Sequence, residues 1–166
     1  MSFIALVLVF LTFSISVFNF ITIRKPENDD LVSESVTVVV PMRNEAENVS
    51  ELVVTLGALD YPRYEVIFID DNSTDNTGDL LSQAIRSHPA MKVVSAAPLP
   101  DNWMGKPWAL SQGLSHATHE YIATVDADVR LAPDALSAMD SVLQRTGSDF
   151  LSPYPRQLAH SWSERL

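Results

Sequence analysis

Residues 64–75 read YEVIFIDDNSTD, a short apolar run that passes directly into six polar residues. The run from Tyr64 to Ile69 is dense in β-branched and aromatic side chains, which favour strands. The polar cluster behind it is rich in Asp, Asn, Ser and Thr, the residues that commonly begin helices. The stretch therefore predicts a strand that leads through a polar turn into a helix over about residues 76–87.

The same alternation of strand and helix repeats along the chain. Residues 36–40 read VTVVV, a β-branched run typical of a strand that is covered on both sides. Further strands are predicted at 91–94, 121–125 and 149–152, and further helices at about 44–59, 108–116 and 133–145. This order predicts an α/β fold, a mostly parallel sheet with helices on both faces. Because the chain stops within the alternation, we expect the sheet to be incomplete at the C-terminus.

The N-terminal segment predicts a transmembrane anchor. Residues 3–23 carry no charge, and roughly 20 apolar residues span the hydrocarbon core as a helix. Arg24 and Lys25 follow, and positive charge on this flank alone predicts that the rest of the chain faces the cytoplasm. The alternative, a cleaved signal peptide, requires a basic start and a small-residue cleavage site, which this segment lacks. We therefore expect an anchor over 1–25, a linker over 26–35 and a domain over 36–166.

Composition disfavours several classes of function. The formal net charge is −10, which argues against nucleic acid as a partner because phosphate backbones recruit Lys and Arg. An acidic protein that handles a phosphate-bearing substrate would instead recruit a metal cation. The chain contains no cysteine, which excludes disulfides, thiolate zinc sites and cysteine nucleophiles.

Polar clusters follow three of the predicted strands. They lie at residues 41–45, 70–73 and 126–128. In open parallel sheets, ligands bind beyond the carboxyl ends of the strands, so we expect the three clusters to converge on one crevice. Neither a glycine-rich dinucleotide fingerprint nor a P-loop follows the first strand, which disfavours both of those classes.

The pair Asp126 and Asp128 predicts a metal site. On an extended segment, residues two apart point the same way. Two carboxylates that face one spot repel each other unless a cation lies between them. Mg²⁺ or Mn²⁺ held by these carboxylates and by substrate phosphate oxygens would satisfy the charge and the geometry. The alternative is an acidic loop that caps the helix near Pro133.

Two interpretations stay open for the other polar candidates. Asp70 and Asp71 can form a helix-capping turn, or one of them can accept hydrogen bonds from a nucleobase or ribose. Lys106 lies where a loop is expected to enter a helix, and it can meet a diphosphate there or remain a solvated surface residue.

Aromatic and histidine pairs near this loop are less specific. Trp103 and Trp108 flank Lys106 and can pack in the core or face a membrane-borne acceptor, since Trp favours the membrane interface. His116 and His119 are three apart, but with no third ligand nearby they are more consistent with solvent-side residues than with a metal site.

Taken in order, these motifs resemble family 2 glycosyltransferases of the GT-A fold, a Rossmann-like α/β architecture. The resemblance is carried by the segments VTVVVP with Asn44 and Glu45, IDDNSTDNT from Ile69, Gly105-Lys106, and VDAD from Val125. The segments WMGKPWA (103–109) and LSPYPRQ (151–157) are similar to a membrane-bound subgroup associated with hopanoid and carotenoid biosynthesis. The resemblance covers residues 36 to about 152, so the chain would be the N-terminal part of such an enzyme.

The resemblance implies a nucleotide pocket at the first two strand ends. Pro41, Asn44 and Glu45 would line it, with Glu45 near the nucleoside. Asp71 would bind the base, expected to be uracil, while Asp70 would support that loop.

The resemblance also implies how the diphosphate and sugar would be held. Lys106 would lie near the base or the diphosphate, Asp126 would contact the ribose or sugar, and Asp128 would hold the metal ion. The family inverts configuration at the anomeric carbon, and its catalytic base lies beyond the matching region. The implied function is transfer from a nucleotide sugar, expected to be a UDP-sugar, to a lipid-like or other membrane-associated acceptor. The alternatives are a non-catalytic nucleotide-sugar-binding module and, with less support, a nucleotidyltransferase.

Overall fold

A computed structural model describes residues 3–22 and 34–153 of the chain. It contains five α-helices and four strands within those residues. In chain order they are α1 (Phe3–Thr22), β1 (Val36–Met42), α2 (Val49–Gly57), β2 (Tyr64–Asp70), α3 (Thr77–Ala84), β3 (Met91–Ser95), α4 (Gly105–His116), β4 (Tyr121–Thr124) and α5 (Ala135–Thr146). A short 3₁₀ turn, Ile85–Ser87, continues α3.

The four strands form one parallel sheet in the order β3-β2-β1-β4. In this sheet, Val38 of β1 pairs with Val66 of β2 on one side and with Ala123 of β4 on the other. Crossover helices connect the successive strands, as parallel pairing requires. The predicted α/β architecture is confirmed.

Both faces of the sheet are covered by helices. On one face, Val38, Val40 and Phe68 belong to a core that includes residues of α2, α3 and α5. On the other face, Val39, Ile67 and neighbouring apolar residues pack with α4. Because β1 and β2 are buried on both faces, their sequences are apolar runs and not alternating patterns.

Helix α4 lies unusually close to the sheet. The position of a Cβ atom on Gly113 would be 2.3 Å from Cγ1 of Val39 in β1. Only glycine leaves room for this approach. No pattern in the sequence pointed to Gly113, and the contact matters because α4 carries Gly105 and Lys106 in its first turn.

The second predicted helix begins later than expected. The pattern predicted a start near residue 44, but α2 starts at Val49. Asn44 has a φ of 56°, in the left-handed region that asparagine tolerates better than most residues, and residues 46–48 form a turn. The segment from Asn44 to Asn48 is therefore a loop that leads from β1 to α2.

Other boundaries also differ from the expectations. Helix α4 begins at Gly105 instead of 108, and α5 begins at Ala135 instead of 133. The strand predicted at 149–152 is not formed: these residues are irregular, and the Phe150 side chain is 81% exposed. A strand needs a hydrogen-bonded neighbour, and the described residues provide none beside this segment.

Helix α1 has the length and composition of a membrane span. It contains 20 residues, none of them charged, and a helix of that length spans about 30 Å. Its hydroxyl groups donate to carbonyls one turn back, as Ser14 does to Phe10 and Ser16 to Thr12. These bonds lower the cost of placing hydroxyls in a lipid environment. The predicted linker, 26–35, lies outside the described residues except for its last two positions.

A polar network ties the strands together at their amino ends. The Glu65 carboxylate accepts hydrogen bonds from the Thr37 hydroxyl (2.8 Å), from the backbone N–H and hydroxyl of Thr118 (2.7 Å each) and from the Lys92 ammonium (3.0 Å). Burial raises the pKa of Glu65, but the hydrogen bonds from Thr118, Thr37 and Lys92 outweigh it and lower the pKa to about 2. The ionised carboxylate thus links β1, β2, β3 and the loop before β4.

Replacing Glu65 by glutamine is expected to destabilise the fold in a pH-dependent way. The pKa of Glu65 is lower in the folded chain than its ordinary value of 4.5. Its stabilisation is therefore complete above pH 4.5 and is lost as the pH falls toward 2. We expect Glu65→Gln to lower the free energy of unfolding by about 1–3 kcal/mol at pH 7. Urea unfolding at pH 7 and pH 3 measures this, with the exposed Glu120→Gln as control. A loss of equal size at both pH values would contradict the prediction.

Candidate functional site

The site lies at the carboxyl ends of the strands, where three loops meet. β1 and β2 end side by side, because Met42 pairs with Asp70. After β4, the Val125 N–H still donates to the Val39 carbonyl at 3.0 Å. The loop that contains Asp126 and Asp128 therefore starts next to the end of β1.

The loops after β1 and β2 are joined by side-chain hydrogen bonds. The Asn44 N–H donates to the Ser73 hydroxyl at 3.0 Å, and the Thr74 N–H donates to the Asn44 amide oxygen at 2.8 Å. The Glu45 N–H donates to the Thr77 hydroxyl at 2.9 Å. These contacts make the two loops one unit.

This arrangement changes the expected role of the polar cluster after β2. The cluster was expected only to begin the next helix, α3, whose N-cap, Asn76, makes no side-chain capping bond. Ser73 and Thr74 bind the neighbouring loop instead. The Asp75 carboxylate accepts from the Thr77 N–H and hydroxyl, and the hydroxyl bond is the main cause that lowers its pKa.

Asp70 and Asp71 point to different surroundings. The Asp70 carboxylate accepts the Ser73 N–H at 3.1 Å, which fits its expected role of supporting the loop. Asp71 is only 6% exposed, and its carboxylate lies 3.7 Å from the Arg43 guanidinium. A Cβ atom on Gly105 would lie 3.1 Å from the same carboxylate. The start of α4 therefore packs directly against Asp71, and a side chain at 105 would crowd it.

Lys106 connects the start of α4 to the loop after β4. Its ammonium lies 2.7 Å from the Asp126 carboxylate, and both side chains are more than half exposed. An ion pair in solvent stabilises a fold only slightly, by about 0–1 kcal/mol. The Lys106 and Asp126 charges thus face solvent at the same edge of the sheet as the Arg43–Asp71 pair.

The sequence predicted an extended segment at 126–128, but the structure has a turn there. The Val129 N–H donates to the Asp126 carbonyl at 3.0 Å, which closes a turn. Ala127 is buried, while Asp126 and Asp128 are exposed. Val125 and Ala127 are buried, so Asp126 and Asp128 share the exposed side as predicted, but a turn replaces the predicted extended backbone.

The described residues contain no group of three or more His, Asp or Glu side chains that could hold a metal ion by themselves. In that part of the chain, the Asp128 carboxylate has neither a hydrogen bond nor an ion pair to another side chain. An exposed pair of carboxylates fits Mg²⁺ or Mn²⁺ that also takes oxygens from a substrate, and not a closed structural site.

Asn48 and Arg130, which had no predicted functional role, connect the loop after β1 to the loop after β4. The Asn48 amide donates to the Glu45 carboxylate at 2.7 Å and accepts from the Arg130 guanidinium at 2.8 Å. Arg130 also donates to the Ala127 carbonyl. The position of Arg130, two residues after Asp128, was the only signal in the sequence that pointed to it.

The tryptophan pair and the histidine pair make contacts with other parts of the chain. Trp103 and Trp108 contact each other edge to face, with centroids 5.2 Å apart, and the Trp108 indole donates to the Ala97 carbonyl. His116 ends α4 and bonds within it, while the His119 N–H donates to Thr37 in the first half of β1. The histidines therefore lie toward the amino ends of the strands.

Comparison with known proteins identifies the family. The sequence profile of glycosyl transferase family 2 matches residues 37–156, which include the whole site. The chain belongs to glycosyl transferase family 2. A relative of this family 2 chain is a beta-monoglucosyldiacylglycerol synthase of a Nostoc species, 36% identical over 112 residues. The alignment covers 66% of the chain and 24% of that relative.

Solved structures support the same assignment. A mannosyltransferase of Pyrobaculum calidifontis, PcManGT, in complex with GDP-Man and Mn²⁺, is 29% identical, with a TM-score of 0.65 over 80% of this chain and 39% of its own. TarS of S. aureus in complex with UDP-GlcNAc is 27% identical, with a TM-score of 0.58 over 69% of this chain and 32% of its own. The expected GT-A fold is confirmed, and the family 2 chain spans about a quarter to two fifths of these proteins.

Proposed function

We propose that this family 2 chain forms the donor-binding part of an enzyme that transfers a sugar from a nucleotide sugar to a lipid-like acceptor at a membrane. The observation that carries the proposal is the meeting of three polar loops at one edge of the sheet. There the Arg43–Asp71 and Lys106–Asp126 pairs flank the first turn of α4. The domain over 36–166 would be this donor-binding part.

Each polar loop would hold a different part of the donor. The joined loops after β1 and β2 would form the nucleoside pocket, with buried Asp71 accepting hydrogen bonds from the base and Asp70 supporting the loop. Lys106 would meet the diphosphate, since its ammonium is exposed and reaches the Asp126 turn. The nucleotide-binding residues proposed are Pro41, Asn44, Glu45, Asp70, Asp71, Lys106 and Asp126.

Asp128, with Asp126, would hold a divalent cation, Mg²⁺ or Mn²⁺. The described residues supply two exposed carboxylates at this turn, and the oxygens of a diphosphate would complete the coordination. When bound, the cation stabilises the negative charge that builds on the departing nucleoside diphosphate. The acceptor hydroxyl would attack the anomeric carbon from the opposite side and invert its configuration. The base that takes its proton is expected beyond residue 166.

Membrane attachment is part of the proposal. Helix α1 is long and apolar enough to cross a bilayer, and the positive residues Arg24 and Lys25 after it favour a cytoplasmic position for the domain. A Nostoc relative is named as a synthase of a glucosyl lipid, which supports a lipid-like acceptor. An anchored donor site would meet such an acceptor at the bilayer surface.

Calorimetry with the purified chain in detergent tests the donor site. UDP-glucose, UDP-GlcNAc and GDP-mannose would be titrated with Mn²⁺ and with EDTA. We expect the two UDP-sugars to bind more tightly than GDP-mannose, and Mn²⁺ to strengthen their binding. Equal binding of all three would refute the uracil assignment. Failure of every nucleotide to bind would refute the donor site itself.

Replacing Lys106 by glutamine is expected to weaken donor binding without destabilising the fold. The exposed Lys106–Asp126 pair contributes little stability, whereas an ammonium on a diphosphate forms a charge-assisted hydrogen bond worth about 1.5–3 kcal/mol. We expect the dissociation constant for UDP-sugar to rise at least about tenfold. Exposed Arg86 offers the control, Arg86→Gln. An unchanged dissociation constant would remove Lys106 from the site.

A further inference from the structure

The side chain of Arg130 contacts the acidic turn, residues 126–129, and joins it to α2. One terminal nitrogen, Nη1, donates to the Ala127 carbonyl at 2.8 Å and to the Val129 carbonyl at 3.1 Å. The other, Nη2, donates to the Asn48 amide oxygen at 2.8 Å. Both carbonyls belong to the turn that presents Asp126 and Asp128, so Arg130 holds the backbone of the turn and not its carboxylates.

Helix α2 provides a rigid support for this contact. Asn48 precedes the first turn of α2, whose residues Val49 and Leu52 are buried in the core. The Arg130 Nε atom also lies 3.1 Å from the Glu51 carboxylate of α2, as an ion pair without the alignment of a hydrogen bond. The Arg130 side chain is 21% exposed, while Glu51 is 71% exposed. The shielded contacts to Asn48 and to the turn therefore position the guanidinium more firmly than the solvated ion pair does.

The contacts continue to the first loop of the site. Asn48 donates to the Glu45 carboxylate at 2.7 Å, and the Glu45 N–H is held by Thr77. A continuous path of hydrogen bonds thus runs from Glu45 through Asn48 and Arg130 to the acidic turn. It connects the loop proposed to bind the nucleoside with the turn proposed to bind the cation.

We propose that Arg130 is a positioning residue that sets the geometry of the Asp126–Val129 turn for cation binding and couples it to the nucleoside loop. The inference rests on the proposed function. Only an arginine has a planar fork that reaches the turn, Asn48 and Glu51 at once, because a lysine ammonium is a single point charge. Groups that orient metal ligands typically change metal affinity by about 10–100-fold when removed.

The test measures UDP affinity of the purified chain in detergent, with Mn²⁺ and with EDTA, together with the thermal midpoint of the ligand-free protein. We expect Arg130→Met to lower the Mn²⁺-supported affinity by about tenfold or more and to change the affinity in EDTA far less. Arg130→Lys should recover part of the loss, because it keeps the positive charge and can still donate from a single nitrogen. Arg86→Met, at an exposed arginine, is the matched control.

Two further variants separate the possible outcomes. Asn48→Ala removes one link of the path without removing the guanidinium, so it should cause a smaller loss of Mn²⁺-supported affinity even if Arg130→Met does not fold. Equal losses with Mn²⁺ and with EDTA, or losses no larger than those of Arg86→Met, would overturn the positioning role. Asp128→Asn in the same assay tests the cation site itself. If it abolishes the effect of Mn²⁺ while the Arg130 and Asn48 variants do not, only the present inference fails.

Discussion

Replacing Asp128 by asparagine is expected to abolish most of the Mn²⁺-dependent affinity for a UDP-sugar while leaving the fold intact. The Asp128 side chain is exposed and makes no hydrogen bond or ion pair among the described residues, so its charge is not needed for folding. Asparagine keeps the size but removes the negative charge that a hard cation prefers. The loss should be at least about 1–3 kcal/mol, or roughly tenfold or more in the dissociation constant.

Titration of UDP-sugar with and without Mn²⁺ measures the effect, and circular dichroism checks the fold. The matched control is Asp149→Asn, which makes the same chemical change at an exposed residue after α5. The prediction requires that affinity for the UDP-sugar is lost only in the presence of Mn²⁺ and only in the Asp128 variant. If Asp128→Asn retained the full enhancement by Mn²⁺, the cation would have to bind elsewhere, and the metal assignment would be wrong.

Replacing Gly113 by alanine is expected to destabilise the domain and to disturb the site from a distance. The added methyl group would lie 2.3 Å from Cγ1 of Val39, well inside van der Waals contact. Either α4 or β1 must then shift, and overpacking of this kind costs about 1–3 kcal/mol. Because Gly105 and Lys106 form the first turn of α4, a shifted helix should also weaken UDP-sugar binding.

The clash predicts a specific rescue. Val39→Ala removes the Cγ1 atom. The double variant Gly113→Ala, Val39→Ala should therefore lose less free energy of unfolding than the two single variants lose in sum. Urea unfolding of the four proteins gives this coupling as a double-mutant cycle. Ser115→Ala, at an exposed position of the same helix, controls for the change in helix propensity. Strict additivity of the two losses would show that the contact is not the cause.

The regular elements were largely readable from the chain because their signals are local. The apolar runs in β1 and β2 and the helical spacing in α2 depend on residues that are neighbours in sequence. Errors arose where non-local contacts decide the conformation. Asn44 adopts a left-handed φ because its N–H and amide oxygen bind Ser73 and Thr74, about thirty positions away. No pattern near Asn44 could have predicted that contact.

The candidate site shows the same division. Its carboxylates could be found because they follow strand ends, and parallel strands bring those ends to one edge. Arg130 and Gly113 were assigned no role, since Arg130 bonds to Asn48 across 82 residues and Gly113 matters only through Val39. The turn at Asp126 was missed because β4 ends at Thr124, earlier than its apolar pattern predicted.

The sequence by itself determined the order of strands and helices, the apolar N-terminal helix and the set of polar residues at the strand ends. These follow from local propensity and from the period of apolar side chains, which a single chain displays directly. Only the tertiary structure decided that Lys106 reaches Asp126, that α4 packs against Asp71 and that Arg130 holds the acidic turn. Such contacts depend on how whole elements pack, and packing is set by the shape of the complete core and not by any one segment.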